Sequence, residues 1–259
     1  MNEYYYDRLI MDGVWEISDK TDGLQTSSII YLIEGSDRAL LIDAGNSNGD
    51  LAGHVKKLTD NPVDLLITHG HGDHTAGMFE FESVYMSHKD ISILNDNFGY
   101  QLNETMVKDL YSGMSFELGG CLLEIIELPG HTPGSMLVLD RQRQLLFSSD
   151  ALGSGIIWMQ LPLSSPVETY ANKLRDLEEL VETMEDLRIY AGHESQHPMG
   201  FSRQYITDIR ILAERIVSGE IVGTPTKDQS EIFGGLSASY GEMKGFIYKP
   251  DNILRGMLN

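Results

Sequence analysis

The run Thr68-His69-Gly70-His71-Gly72-Asp73-His74 constrains this chain more than any other stretch. Three histidines and an aspartate crowd into six residues, in a sequence with only 8 histidines among 259 positions. Grouping hydrated polar side chains costs desolvation unless something pairs with them. Neutral imidazole and carboxylate are good ligands for divalent first-row metals, so the run predicts a metal site. The apolar residues 63–68 before it predict a buried strand. Gly70 and Gly72 are expected to break that strand and turn the chain sharply, so that successive imidazoles converge instead of alternating across a sheet. Asp73 and His74 fall on the next turn, where a helix is expected to begin.

Metal-type side chains recur after other apolar runs. Residues 122–128 lead into Pro129-Gly130-His131-Thr132-Pro133-Gly134-Ser135, where two prolines and two glycines fix the loop around His131. Residues 145–149 deliver Asp150, and residues 187–190 lead to Ala191-Gly192-His193. Strands of one layer place their ends along a common edge, where ligands often bind. His69, His71, Asp73, His74, His131, Asp150 and His193 make seven candidate ligands. That is too many for one ion of about four to six positions, and it suits two ions that share a bridging carboxylate. Asp43, at the end of another apolar run, either supports the cluster or caps the loop that follows. His54, His88 and His197, taken singly, read as satisfied core or surface residues.

The surrounding elements predict an α/β layered domain. Residues 8–18 alternate weakly and predict a first strand through 14–17. Residues 27–34 and 39–43 predict a hairpin across Gly35-Ser36-Asp37. A short helix is expected over 51–58, a strand over 84–86, and a hairpin from 136–139 and 145–149. Ser165-Pro166-Val167-Glu168 reads as a capping box opening a helix on which Tyr170, Leu174, Leu177, Val181 and Met184 recur. A second helix is expected over 202–218, ended by Gly219. Residues 88–118 show no clean period, and their aromatics and methionines predict either a lid or pocket wall, or plain core packing. Phe98, Tyr100, Tyr111, Trp158, Met159 and Phe233 are candidates to line an apolar pocket, core packing being the alternative for each. Residues 1–259 read as a single domain, with 220–259 a C-terminal extension that holds at most one hairpin or strand.

Composition limits the partners. Hydrophobic residues make up 41% and charged residues 22%, as in a folded globular protein. The formal net charge is −20, with 39 acidic against 19 basic residues. That argues against nucleic acid, whose phosphates need basic contacts, and against an anionic membrane surface. A small-molecule substrate is expected, and a homodimer is compatible with the sequence. The single cysteine, Cys121, allows no intrachain disulfide and reads as a small core residue. The N-terminus lacks a basic and apolar leader pattern, and no stretch approaches ~18 apolar residues, so the cytoplasm is the expected location.

These motifs carry a resemblance. The sequence resembles the metallo-β-lactamase-fold hydrolase superfamily. Its His-x-His-x-Asp-His motif is matched by residues 69–74, its Gly-His-Thr-Pro-Gly-Ser motif by 130–135, its bridging aspartate by Asp150, and its late Gly-His by Gly192-His193. The resemblance implies a four-layer αβ/βα sandwich with the site at one edge of the two sheets. It implies one metal on His69, His71 and His131, a second on Asp73, His74 and His193, and Asp150 bridging them. Two divalent ions, zinc by default with iron or manganese as alternatives, would hold a bridging hydroxide that attacks a carbonyl or phosphoryl centre. Asp73 would orient that nucleophile or carry a proton to the leaving group.

The implied activity is hydrolysis of an ester, thioester, lactone or related carbonyl bond in a small molecule. True β-lactamases of the dinuclear types carry Cys or Ser at the Asp150 position, and this chain departs from them. It stands nearer glyoxalase II and the lactonases, although the basic residues with which glyoxalase II holds glutathione have no evident match. Two other readings share the motif: a mononuclear iron oxygenase of the persulfide dioxygenase type, and a non-catalytic metal-binding module.

Overall fold

The apolar runs of the first half pair into one sheet. The structure, a computed structural model, describes residues 4–19, 27–46, 49–98, 106–193, 199–226, 234–241 and 243–253. The first sheet contains β1 (Tyr5–Met11), β2 (Val14–Asp19), β3 (Ile29–Glu34), β4 (Ala39–Ile42), β5 (Val63–Leu66), β6 (Val84–Met86) and β7 (Val107–Asp109), side by side in that order. Strands β1 to β4 pair antiparallel, and β4 to β7 pair parallel. The expected single strand within 8–18 is instead the β1–β2 hairpin, turned at Gly13 with φ +70°. Strand β3 is buried from Ile29 to Ile33, which is why it reads as a continuous apolar run.

The second sheet has the order β14-β13-β11-β10-β9-β8. Its strands are β8 (Ser115–Glu117), β9 (Leu122–Glu127), β10 (Met136–Asp140), β11 (Leu145–Ser149), β13 (Arg188–Ala191) and β14 (Phe201–Ser202). The expected hairpins β3–β4 and β10–β11 are both present. Strand β9 pairs antiparallel with β10, β10 antiparallel with β11, and β11 parallel with β13. The carboxyl ends of β9, β11 and β13 therefore lie at the same edge, and the candidate ligands follow those ends. Backbone bonds from Met136 N–H to the Thr68 carbonyl (2.9 Å) and from Ile29 N–H to the Gly192 carbonyl (2.7 Å) bring the end of β5 and the start of β3 to that edge too.

Three cores separate the layers. Ile33, Leu40 and Ile42 meet Ile125, Val138 and Phe147 between the sheets. On the outer face of the first sheet, Leu51 and Val55 of α1 (Leu51–Val55), Met78, and Leu94 of α3 (Ile91–Phe98) cover Ile30, Leu32 and Leu41. On the outer face of the second, Tyr170, Leu174 and Leu177 of α4 (Val167–Leu180) and Ile209, Leu212 and Ile216 of α5 (Gln204–Ser218) cover Leu137, Leu139 and Leu146. Each fully buried aliphatic or aromatic side chain of this kind contributes about 1.5–3 kcal/mol. The layers run helix, sheet, sheet, helix, the expected four-layer αβ/βα sandwich. The helix α2 (Gly72–Thr75) begins where Asp73 and His74 predict one.

Two sequence expectations change, and the choice left open for residues 88–118 narrows. Residues 88–118 are ordered secondary structure over much of their length: a 3-10 turn His88–Asp90, then α3, β7 and β8, with Ile93, Leu94, Leu110 and Phe116 buried. Core packing accounts for these four side chains, and β7 and β8 lie in different sheets; Tyr111 is exposed, and residues 99–105 lie outside the described residues. The capping box at α4 does not form: the N-cap residue is Pro166 and no side chain caps the helix. Ser165 instead donates its N–H to the Gly130 carbonyl at 2.8 Å, fastening α4 to the His131 loop. The tail holds more than one hairpin or strand. A third sheet, in the order β12-β17-β16-β15, joins β12 (Ile156–Met159) to β15 (Thr224–Pro225), β16 (Leu236–Tyr240) and β17 (Met243–Tyr248). Its Ala238, Met243, Phe246 and Tyr248 sit in the same core as α4 and α5.

Candidate metal centre

The chain turns out of each strand into the site through unusual backbone. Asp43, just after β4, has φ +65°, and Ser149, at the end of β11, has φ +44°. Left-handed non-glycine residues cost about 1–3 kcal/mol and persist where their surroundings hold them. Here the Ser149 hydroxyl donates to Asp43 Oδ2 at 2.8 Å, so the two strained residues hold each other. Gly70 and Gly72 do not take the positive φ that a sharp glycine turn would use, because neither is among the positive-φ glycines. Gly70 is required for space: a Cβ there would lie 2.8 Å from the Asp90 carbonyl oxygen. Gly192 is likewise crowded, since a Cβ would come within 2.6 Å of Asp150 Oδ1 and 2.8 Å of His74 Cε1.

The seven candidate ligands come together. Asp150 Oδ2 lies 3.2 Å from His193 Nε2, 3.6 Å from His131 Nε2, 3.7 Å from His74 Nε2 and 4.0 Å from His69 Nε2. Asp73 Oδ2 lies 3.5 Å from His193 Nε2 and 3.8 Å from His74 Nε2. His71 Nδ1 faces His131 Nε2 at 2.8 Å. His69, His71 and His131 form one compact group, and Asp73, His74 and His193 another, with ligand atoms within 4.8 Å of one another in each.

The bonds on the outward nitrogens aim the imidazoles. His131 Nδ1 donates to the Trp158 carbonyl at 2.7 Å, and His193 Nδ1 to the Ser27 carbonyl at 2.9 Å. His74 Nδ1 donates to Asp43 Oδ2 at 3.0 Å. The Thr68 hydroxyl lies 2.9 Å from both Asp43 oxygens and donates to that carboxylate, which leaves it to accept from His69 Nδ1 at 3.1 Å. In all four rings the Nδ1 proton is committed outward and Nε2 points inward. Asp43 thus supports the cluster. It also accepts from Thr68 N–H at 2.8 Å, so although it forms a third compact group with His69 and His74, its oxygens are already engaged.

Inward Nε2 atoms grouped around a buried carboxylate form a cation site. His69 Nε2 and Asp150 Oδ1 are buried with no hydrogen-bond partner, an arrangement that costs free energy unless a ligand satisfies them. The donor set of imidazole nitrogen and carboxylate oxygen fits divalent first-row metals. In the metal-free chain the two groups titrate in opposite senses, and His74, against its burial, is raised by Asp73 and Asp150 well above the usual imidazole range. Burial and the neighbouring His74, His71 and His131 hold His69 well below the usual imidazole range. Burial and His131 bring His71 to about 3. Burial also opposes charge on His193, but Asp150 and Asp73 outweigh it and raise His193 to about 9. Asp150, despite its burial, is held well below the usual carboxylate range by His193 and His74.

Sequence reasoning misses three contributors besides the Ser27 carbonyl. Asp90 is fully buried and accepts from Gly70 N–H, Thr132 Oγ1 and Gly134 N–H. Ser154 Oγ donates to the His193 carbonyl and accepts from His193 N–H, both at 3.1 Å. Trp158 acts through its carbonyl. Of the expected pocket residues, Met159 is core and Tyr111 is 58% exposed. The Phe98 side chain, Tyr100, Phe233 and His197 lie outside the described residues. His88 Nδ1 pairs with Asp109 Oδ1 at 2.9 Å, and His54 Nε2 lies 3.3 Å from Asp7 Oδ1, both apart from the cluster.

The family model of the metallo-beta-lactamase superfamily matches residues 24–193, a span that begins before β3 and ends on His193. The chain belongs to this superfamily. Among curated proteins, the acyl-coenzyme A thioesterase MBLAC2 of Homo sapiens is 26% identical, across 74% of this chain and 81% of that protein. The hydroxyacylglutathione hydrolase GloC of Haemophilus influenzae is 27% identical, across 71% of this chain and 92% of that protein. Among solved structures, the metallo-beta-lactamase FIM-1 from Pseudomonas aeruginosa, in its mono-zinc form, shares the fold with a TM-score of 0.64 at 18% identity, covering 82% of this chain and 96% of that one. A metal-dependent hydrolase is thus the family-level reading of the chain. Among the described residues, no helix is long and apolar enough to cross a membrane.

Proposed function

We propose that this chain is a dinuclear metal-dependent hydrolase that cleaves the thioester bond of a small-molecule substrate. In this reading His69, His71 and His131 hold one divalent ion, Asp73, His74 and His193 hold another, and Asp150 is shared. The observation that carries it is the position of Asp150 Oδ2, within 4.0 Å of Nε2 atoms from both groups. Bound there, two zinc-type ions would supply Lewis acidity for the carbonyl oxygen and a water acidified to near-neutral pKa. The protein's own part is positioning. Asp43, Thr68, Trp158 and Ser27 hold the Nδ1 side of four rings, so none of those four has to turn before it binds. Asp73, with its side chain 29% exposed, stands at the open side of the cluster, where its carboxylate orients the attacking water and takes a proton for the leaving group.

The choice of thioester among carbonyl bonds is supported by relatives that are named an acyl-coenzyme A thioesterase and a hydroxyacylglutathione hydrolase. A mononuclear iron site would leave Asp73, His74 and His193 assembled with nothing to hold. The test is turnover by zinc-reconstituted protein of acyl-coenzyme A, S-acylglutathione, oxygen esters and lactones. Thioester turnover is expected, reduced at least about 100-fold in His69→Ala, the size of loss that follows removal of a group acting on the transition state. A chain that holds two ions and turns over none of these substrates contradicts the proposal.

A further inference from the structure

Asp90 does more than fill space beside the site. It ends the 3-10 turn His88–Asp90 after β6 and has no exposed surface. Its Oδ2 accepts from Gly70 N–H at 2.9 Å and from the Thr132 hydroxyl at 2.6 Å, and its Oδ1 accepts from Gly134 N–H at 2.6 Å. Among the described residues it makes no ion pair with a lysine or arginine. Burying a carboxylate costs several kcal/mol, and charge-assisted hydrogen bonds are what offset it here. The approach is close enough to dictate sequence: a Cβ on Gly134 would lie 2.6 Å from Asp90 Cγ, and one on Gly70 would lie 2.8 Å from the Asp90 carbonyl.

The donors sit at particular places. Gly70 stands between His69 and His71, and Thr132 and Gly134 follow His131 in its loop. One carboxylate therefore clamps the two segments that supply His69, His71 and His131. The other group is held by different residues: His74 by Asp43, and His193 by the Ser27 carbonyl and Ser154. From this division we infer that Asp90 is a positioning residue for one half of the centre, setting His69 and His71 against His131, while the half built from Asp73, His74 and His193 is braced without it. The inference rests on the two-metal reading above.

The test is Asp90→Asn, nearly isosteric, which turns one acceptor oxygen into a donor facing a donor. Metals per chain are counted after dialysis against zinc, alongside circular dichroism and the cobalt(II) absorption spectrum. The affinity of one ion is expected to fall about 10–100-fold, the usual effect of removing a partner outside the ligand set, so that D90N retains about one ion where the wild type holds about two. Adding His193→Ala to D90N then removes the remaining ion, and adding His71→Ala changes little. Should D90N fail to fold, Thr132→Val removes a single donor and is expected to lose metal from the same half. Retention of two ions, or equal loss from both halves, overturns the role of Asp90 and leaves the two-metal reading intact. A wild-type chain with fewer than two ions overturns that reading and this inference with it.

Discussion

Four of the five histidines of the centre are aimed by what touches their outward nitrogen. This is where the sequence was least legible. The ligands themselves stand out, because imidazoles and carboxylates at strand ends have few structural uses. The Trp158 and Ser27 carbonyls do not, since a backbone acceptor carries no residue type. Asp90 reads as one more polar residue at a helix start, although it reaches 20 residues back to Gly70 and 44 forward to Gly134. The charges make a prediction for the metal-free chain. His71, at about 3, lies below its ordinary 6.5, so the unfolded chain binds more protons there between those values and stability rises with pH across that window. His193, raised to about 9, works in the opposite sense. Its contribution is complete below about pH 6.5 and is lost as pH rises through 9. With a chelator present, the thermal midpoint is expected to peak near pH 6.5 and fall on both sides; a midpoint that keeps rising to pH 9 contradicts these assignments.

At the level of elements, local patterns were legible and long-range pairing was not. The hairpins β3–β4 and β10–β11 and the helices α4 and α5 follow from alternation, helical spacing and stop signals within about twenty residues. The third sheet joins Ile157 to Phe246, and no local signal announces a partner so distant in sequence. Residues 88–118 stayed open between a lid and core packing for a related reason, because their short described elements belong to two sheets and show no common period. The third sheet's place in the core can be measured. Phe246 is fully buried among the residues of α4, α5 and the second sheet. Phe246→Ala is expected to destabilise the protein by about 3–5 kcal/mol in chemical denaturation, as core truncations of this size do. A loss under about 1 kcal/mol would mean that the tail merely rests on the surface.

Across the whole molecule, the parallel relations among strands explain why four loops meet at one edge. Strands β9, β11 and β13 run in one direction, and cross-sheet backbone bonds bring the end of β5 to them. The order of motifs along the chain therefore made the sandwich and its ligand edge legible together. Substrate choice was not legible, because it depends on the shape of the rim more than on residue type. Native mass spectrometry of the purified chain counts the ions of the proposed centre. The wild-type chain is expected to carry two divalent ions and Asp150→Ala one or none. A wild-type chain with a single ion, kept in full by Asp150→Ala, contradicts a centre built around that carboxylate.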